Sequence, residues 1–284
     1  MDHIIRVDAH HHVWDLTVRD QEWTRDLPAL RQSFSLEDLR PLLDQSGIDA
    51  TVVVQTLNLR EETPELLVLA QHNNVVAGVV GWVDLSDEGV ADEIAQLRAS
   101  DGGEFLVGFR HVAQDEADDE WTCRPDVLRG LGDVSDAGLV YDLLVREHQL
   151  PSVITVVRTL PNLLFVLDHF GKPLIGAGDM EPWRTRMTEL ARCDNIAVKF
   201  SGLVTEVVGR PWRVEDLAPY VDVVLSLFGA ERVMFGSDWP VCQLAASYAD
   251  VIDAAHELMS ELTASEKDAL FGATAARWYA LDVA

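Results

Sequence analysis

The feature that most constrains the fold is a series of eight short apolar runs, each followed by a polar or amphipathic stretch. The runs are rich in β-branched residues and are apolar at consecutive positions, a pattern typical of parallel strands that are covered on both faces. The sequence therefore predicts eight β-α units in series. The predicted strands span residues 4–9, 50–55, 76–83, 106–110, 139–144, 163–167, 196–200 and 232–235.

Amphipathic stretches between these runs supply the crossover helices that parallel strands require. Helices are predicted over residues 36–46, 65–73, 90–99, 183–192 and 214–228. No linker or repeat interrupts the series, so residues 1–284 are predicted to form one α/β domain, a (β/α)8 barrel rather than an open doubly wound sheet. The first strand is not followed by a GxGxxG turn, which disfavours dinucleotide binding.

The overall charge restricts the partners. The chain has a formal net charge of −26 and a pI near 4.5, whereas a protein that binds nucleic acid or acidic membranes needs a basic face. No run approaches the roughly 20 uncharged apolar residues that span a bilayer, and the charged start is unlike a signal peptide, so a cytoplasmic location is expected. The three cysteines have no metal-like spacing and predict neither a disulfide framework nor a zinc ribbon.

Histidines follow the first predicted strand, within the segment DAHHHVWD. His10 and His12 stand two residues apart, so on a strand both side chains project to the same side and could bind one metal ion. The alternative is a polar cluster that is hydrogen-bonded in a loop. Because active sites of (β/α)8 barrels lie at the carboxyl ends of the strands, we expect this pair to lie in the site.

Two further groups of residues near strand ends are candidates for contact with a substrate. Arg110 and His111 end the fourth strand and are suited to bind a carbonyl or carboxylate group, although Arg110 could equally form a structural ion pair. Trp14, Trp82 and Trp239 follow or end strands. These tryptophans either form the wall of a pocket or pack in the core.

The sixth and eighth strands also end in residues with catalytic or metal-binding potential. Asp168 and His169 follow the sixth strand, where His169 would complete the site begun by the first-strand histidines. Asp238 follows the eighth strand, between a glycine-serine pair and a proline. It is predicted to bind a metal or to take a proton from water, and capping of a helix is the alternative.

Five ordered segments, DAHHHVWD, GFRH, LDHFGKP, VKFSGL and MFGSDWPV, together resemble the amidohydrolase-related (amidohydrolase 2) family. They are most similar to its sugar-lactonase branch, of the L-fuconolactonase and L-rhamnonolactonase type, and the likeness spans residues 8–279. The resemblance implies a distorted (β/α)8 barrel, a small sugar lactone as substrate, and one divalent metal, zinc first of all, that some members work without. The ligands that it implies are His10, His12, His169 and Asp238.

The sequence also departs from the wider superfamily. A second metal ion there often depends on a carboxylated lysine on the fourth strand, where this chain has Arg110 and His111, while Lys199 lies on the seventh. A binuclear centre is therefore not expected. His11 stands where similar sequences often have glutamine, a difference expected to alter substrate contacts. Whether the chain is a monomer or a homo-oligomer stays open.

The predicted reaction is hydrolysis of a lactone ester, with Asp238 as the general base toward water and Arg110 and His111 stabilising the oxygen charge that develops. A serine nucleophile is disfavoured because the sequence has no GxSxG. The alternatives are a metal-dependent decarboxylase or another C–O or C–N hydrolase on the same scaffold, and a sugar-acid binding protein without activity. The predicted catalytic residues are Asp238, His169, Arg110 and His111, and the predicted substrate contacts are Arg110, His111, Trp14, Trp82 and Trp239.

Overall fold

Eight parallel strands form a barrel in the computed structural model, which describes residues 5–283. Each strand pairs with the next one along the chain, so the predicted (β/α)8 architecture is confirmed. The strands are β1 Val7–His11, β2 Ala50–Val54, β3 Val76–Gly81, β4 Leu106–His111, β5 Val140–Leu143, β6 Phe165–Leu167, β7 Ile196–Phe200 and β8 Val233–Phe235.

Helices connect the strands and surround the barrel. A π-helical segment, Ala269–Ala273, joins the last two of them. Within the described residues, no helix has the length and apolar content needed to cross a membrane. The helices are α1 Leu36–Ser46, α2 Glu62–Gln71, α3 Val90–Ala99, α4 Pro125–Asp136, α5 Leu150–Thr159, α6 Trp183–Leu190, α7 Val214–Phe228, α8 Tyr248–Leu258, α9 Ala264–Asp268 and α10 Thr274–Trp278.

The first strand differs most from its prediction. It runs to His11, beyond the predicted end at residue 9, and its predicted first residue, Ile4, lies outside the described residues. The pairing of β1 with β2 changes register between Asp8 and His11. Because side chains on a strand alternate between its two faces, such an irregularity changes which of them face the interior.

The barrel closes through residues that lie just beyond β8. The Asp238 N–H donates to the His10 carbonyl oxygen over 2.8 Å, and the His12 N–H donates to the Trp239 carbonyl oxygen over 2.7 Å. These two hydrogen bonds complete the cylinder where β8 itself has ended. The backbone that closes the barrel thereby places Asp238 beside His10 and His12.

The lower part of the barrel interior is filled by small apolar side chains, which we call the apolar layer. All eight strands contribute to it, and two residues from the C-terminal helical region cover its open end. Branched and small side chains of this kind fill the interiors of (β/α)8 barrels. The layer consists of Val7, Ala9, Ala50, Val52, Val54, Val80, Val107, Val140, Val166, Ala197, Met234, Ala275 and Tyr279.

One step further along the strands, the interior becomes charged. Asp142, Asp168 and Lys199 each stand two residues after a member of the apolar layer, so their side chains project to the same side of the strand. All three are fully buried, and Arg110 on β4 is almost fully buried beside them. We call these four residues the charged layer. It lies between the apolar layer and the carboxyl ends of the strands.

Candidate active site

Three side chains from the closure of the barrel meet above the charged layer. His10 Nε2 and His12 Nε2 lie 3.2 Å apart, and Asp238 Oδ1 lies 3.6 Å from the first nitrogen and 3.5 Å from the second. All three residues are buried. Asp238 has a φ of +56°, which is uncommon for a residue with a Cβ, and the hydrogen bonds of the closure hold it there. The structure therefore brings together three of the four predicted metal ligands.

The other ring nitrogens of the two histidines determine their tautomers. His12 Nδ1 lies 2.7 Å from the Val54 carbonyl oxygen, which can only accept, so His12 carries its proton on Nδ1. His10 Nδ1 lies 3.3 Å from Asp168 Oδ1 and 3.1 Å from the Lys199 ammonium, while Arg110 Nη1, which can only donate, lies 3.3 Å from His10 Nε2 and places the lone pair on that nitrogen. Both Nε2 atoms therefore present lone pairs. Orientation through the second nitrogen is typical of histidines that bind metal.

His169 follows β6 in a turn with an unusual backbone. The four residues of 169–172 all have φ between 52° and 68°, so they form one left-handed turn. For a non-glycine residue this conformation costs about 1–2 kcal/mol, and such strain is concentrated at functional sites. The turn places the His169 ring 4.8 Å from the His10 ring, between centroids, with His169 Nδ1 2.8 Å from Ser201 Oγ.

Gly202 makes room for the same site from the end of β7. Its φ is +63°, and a Cβ at this position would lie 2.6 Å from His169 Nδ1 and 3.0 Å from Asp238 Oδ2. Glycine is therefore required both for the backbone conformation and for the space that the two side chains occupy.

The donor set fits one divalent metal ion. Two imidazole nitrogens and a carboxylate oxygen lie 3.2 to 3.6 Å from one another, and tetrahedral coordination with bonds of about 2.0–2.1 Å places ligand atoms about 3.3 Å apart. Two lone pairs that face each other at this distance repel unless a cation or a proton lies nearby. His169 belongs to a second group, with His10 and Asp168, but Asp168 is already paired with two cationic side chains. The geometry thus favours a single ion.

The neighbours of Asp238 keep its carboxyl group ionised. Burial alone would raise its pKa, but the positive charge that His169 carries when it is protonated, with smaller contributions from His12 and His10, outweighs burial and holds the pKa of Asp238 well below its ordinary value. Burial lowers the pKa of His169 to about 4 and that of His10 well below its usual range. At neutral pH Asp238 is therefore a carboxylate and the imidazoles of His10 and His169 are neutral, the charge state that metal binding and proton abstraction both need.

The charged layer supports this site from below. Arg110 Nη1 lies 3.0 Å from Asp168 Oδ2, and Lys199 Nζ lies 2.5 Å from Asp142 Oδ2 and 3.1 Å from Asp168 Oδ1. The Tyr279 hydroxyl is 2.8 Å from both Asp142 oxygens. Two cations and two carboxylates compensate each other, as buried charges must. Arg110 thus forms the structural ion pair that was the alternative to its predicted role, although it also borders the cavity described next.

A cavity of about 560 Å³ opens above the histidines. This volume suits a small-molecule ligand. His12, Arg110, His169 and Asp238 form part of its wall, so these four predicted residues face one space. The remaining wall mixes charged and apolar side chains, among them Trp23, Glu116, Arg146, Lys172, Glu206 and Leu244.

His111 and Trp82, which were predicted to contact substrate, do not line this cavity. The Trp82 Nε1–H donates to His111 Nδ1 over 3.0 Å, and the His111 ring stacks on Trp121 with centroids 3.8 Å apart. Because indole only donates, the His111 proton is on Nε2, which lies 2.8 Å from Glu116 Oε1. Neighbouring strand residues face opposite sides, so Arg110 faces the interior and His111 packs outside it.

Trp14 and Trp239 do not line this cavity either, and both pack in the core, which was the alternative to their predicted contact with substrate. Each packs edge-on against Phe34, with ring centroids 5.0 Å and 5.5 Å apart. His11, which was expected to alter substrate contacts, does not line the cavity either. His11 is fully buried, and its Nε2 lies 3.0 Å from Thr51 Oγ1 on the neighbouring strand.

Three site residues escaped the sequence analysis. Lys172 and Glu206 line the cavity, and Asp142 belongs to the charged layer. A signal existed for two of them. The chain has only three lysines, and Lys172 stands five residues after the end of a predicted strand, while Asp142 is an acidic residue inside an apolar run. Neither type of residue is common in such a place without a partner.

Eight parallel strands with buried imidazoles and a carboxylate at their carboxyl ends define a (β/α)8-barrel enzyme of the amidohydrolase type. This chain belongs to the amidohydrolase family, whose model matches residues 7–281. The family match covers the barrel described above and confirms the resemblance found in the sequence.

Two relatives and one solved structure are similar to this chain over most of its length. An L-fucono-1,5-lactonase of Burkholderia multivorans is 39% identical over 289 residues, which cover 98% of this chain and 96% of that one. An L-fucono-1,5-lactonase of Burkholderia ambifaria is 41% identical, with 86% of this chain and 83% of that one covered. A crystal structure of an amidohydrolase from Burkholderia multivorans with bound zinc has a TM-score of 0.92 at 39% identity, covering 98% and 99% of the two chains.

Proposed function

We propose that this protein hydrolyses the ester bond of a sugar-acid 1,5-lactone, with L-fucono-1,5-lactone as the first substrate to test. The observation that carries the proposal is the Asp238 carboxylate, held ionised beside the His10 and His12 imidazoles at the bottom of the cavity. Identity of about 40% with two L-fucono-1,5-lactonases over most of the chain supports the choice of substrate. The decarboxylase alternative has no comparable support.

Asp238 is the group that moves the proton. Its Oδ1 faces the two imidazoles, which leaves Oδ2 for a water molecule in the cavity. The water oxygen attacks the lactone carbonyl carbon while Asp238 takes a proton from it, and the same carboxyl returns that proton to the ring oxygen as the ring C–O bond breaks. One water is consumed, and the product is an open-chain hydroxy acid.

Other residues hold this arrangement in place. His169 and Asp238 both border the space that Gly202 leaves open, which keeps the imidazole close to the carboxylate. Asp168 orients His10 from below through the Nδ1 proton. Arg110, which borders the cavity, provides positive charge near the carbonyl oxygen as negative charge develops there.

The ion proposed for the site is zinc. His10, His12 and Asp238 would hold it, and the bound ion would act as a Lewis acid that polarises the carbonyl oxygen. Support comes from the distances among the three donors and from the zinc bound in the solved amidohydrolase at 39% identity. The sugar-lactonase resemblance includes members that work without metal, so the assay is run with and without zinc.

The proposal is tested by following proton release with a pH indicator on a panel of 1,5- and 1,4-lactones of sugar acids. Metal-depleted and zinc-supplemented enzyme are compared in parallel, with metal content measured in each sample. We expect L-fucono-1,5-lactone to be hydrolysed well above its spontaneous rate. Lack of acceleration on every lactone, with either preparation, would mean that the protein is not a lactonase.

A further inference from the structure

One pair of cavity residues has no role in the reaction described above. Lys172 Nζ and Glu206 Oε1 lie 3.9 Å apart, and each side chain is only 20% exposed. Both residues line the cavity that contains Asp238 and His169. A separation of 3.9 Å is too long for a hydrogen bond, so these opposite charges face each other across a gap.

The positions of both residues are tied to the catalytic centre. Lys172 is the last residue of the left-handed turn that begins at His169, so the turn that places the imidazole also places the ammonium group. Glu206 ends a short helical turn, Leu203–Glu206, that starts at Gly202, the glycine packed against His169 and Asp238. The gap between Lys172 and Glu206 is thus held at a set distance from the carboxylate that activates water.

We propose that Lys172 and Glu206 together bind one ring hydroxyl group of the lactone, with Lys172 donating to the hydroxyl oxygen and Glu206 accepting its hydrogen. This inference rests on the proposed function. An oxygen about 2.8 Å from each partner forms a triangle on the 3.9 Å gap, so both hydrogen bonds fit at once. A hydroxyl group is the common sugar substituent that donates and accepts simultaneously.

The charges also restrict the substrate class. The cavity wall carries charges of both signs, with Arg110, Arg146 and Lys172 as well as Glu116 and Glu206, so a carboxylate or a cationic group on the substrate would meet attraction and repulsion together. An uncharged polyhydroxy lactone satisfies both partners. Burial lowers the pKa of Lys172 and raises that of Glu206, which indicates that both groups have lost part of their water, and hydrogen bonds to charged groups are stronger in such surroundings.

The experiment measures kcat/KM for L-fucono-1,5-lactone and for 1,5-lactones that each lack one ring hydroxyl group, with the wild type and the K172M variant. In the wild type, loss of the bridging hydroxyl is expected to lower kcat/KM by about 10- to 100-fold. In K172M that same loss is expected to lower kcat/KM by a clearly smaller factor than in the wild type, because one of the two partners of the hydroxyl group is already absent. The E206Q variant keeps an acceptor oxygen but loses the charge, so it is expected to reduce the penalty in the same direction, and it serves if K172M fails to fold.

The matched control is K267M, which makes the same substitution at a partly exposed lysine that lies outside the cavity wall and donates to the Ser260 carbonyl oxygen. For each lactone that lacks a hydroxyl group, K267M is expected to show the same ratio of kcat/KM to that for L-fucono-1,5-lactone as the wild type does. If K172M and E206Q retain the full wild-type penalty for each missing hydroxyl, the inference is wrong while the lactonase proposal stands. If the wild type hydrolyses none of the lactones, the lactonase proposal fails and the inference fails with it.

Discussion

The apolar and charged layers of the barrel interior are only two residues apart along the strands, a rise of about 7 Å, yet they differ in almost every physical respect. The apolar layer contains mainly valine and alanine and needs no partner beyond close packing. The charged layer buries two cations and two carboxylates that are stable only as a set. The same strands therefore carry both the apolar layer and the charged layer.

The two layers contribute to different properties of the protein. The apolar layer contributes the burial that keeps the barrel folded. The charged layer contributes little net stability, but it orients His10 through Asp168. It thereby gives the three metal donors a rigid support. Substitutions in the two layers should therefore have different effects on stability and on activity.

The largest effect is expected above the charged layer, at Asp238. The D238N variant keeps the shape of the side chain but loses the proton acceptor, so kcat should fall by about 10²- to 10⁴-fold. The melting temperature should stay close to that of the wild type, because the backbone hydrogen bond to His10 does not involve the side chain. Near-normal turnover by D238N would rule out Asp238 as the base.

Within the charged layer, the K199M variant should be destabilised by about 3–5 kcal/mol, because Asp142 and Asp168 would each lose a buried partner. Urea denaturation gives the change in the free energy of unfolding. A K199M/D142N double variant should recover part of the loss, since it removes one of the unpaired charges. A loss that is simply additive in the double variant would show that these charges are not coupled.

In the apolar layer, the fully buried Met234 provides the contrasting substitution. M234A should lower the free energy of unfolding by about 2–5 kcal/mol through the cavity that it leaves. Its kcat/KM, measured where the variant is fully folded, should stay close to that of the wild type. A large drop in kcat/KM without loss of stability would contradict the proposed separation of the two layers.

The smallest effect concerns pH. Burial lowers the pKa of His111 below its ordinary value near 6.5, although Glu116 partly opposes this. The unfolded chain therefore takes up a proton on His111 before the folded protein does, so its contribution to stability is present above about pH 6.5 and is lost as the pH falls. In H111Q the free energy of unfolding should therefore fall less steeply as the pH is lowered, by at most about 1.4 kcal/mol per pH unit. Urea unfolding between pH 7.5 and 5.5 measures the slope.

M234A is the control for this measurement, because methionine does not titrate and its replacement should leave the pH slope of the wild type unchanged. Parallel stability profiles for H111Q and the wild type would show that His111 titrates alike in the folded and unfolded states.

The sequence was enough to predict the eight strands, because parallel strands buried on both faces leave continuous apolar runs. It was also enough to find His10, His12, His169 and Asp238, since polar residues at the ends of such runs are conspicuous. It was not enough to decide which of Arg110 and His111 faces the cavity. The two are adjacent, and a shift of one residue in strand register, as occurs between β3 and β4, exchanges inside and outside.

The direction of the Lys172 side chain could not be predicted from the sequence either. The segment from His169 to Lys172 contains a single glycine, so its composition does not indicate four consecutive left-handed residues. That conformation depends on tertiary contacts, such as the packing of the Phe170 ring against Phe200 at a centroid distance of 6.0 Å. Local sequence patterns do not indicate contacts between residues that are thirty positions apart in the chain.

The charged layer also bears on the order of assembly. Arg110 comes from β4, Asp142 and Lys199 from β5 and β7, and Tyr279 from beyond the last helix. A half-barrel of β5 to β8 would bury Asp168 without Arg110, and an intermediate that lacked the final helix would leave Asp142 without Tyr279. Partly assembled forms thus retain uncompensated buried charge, which favours formation of the two halves as one cooperative unit. Hydrogen-exchange pulse labelling during refolding would then show protection of β4 and β5 rising together.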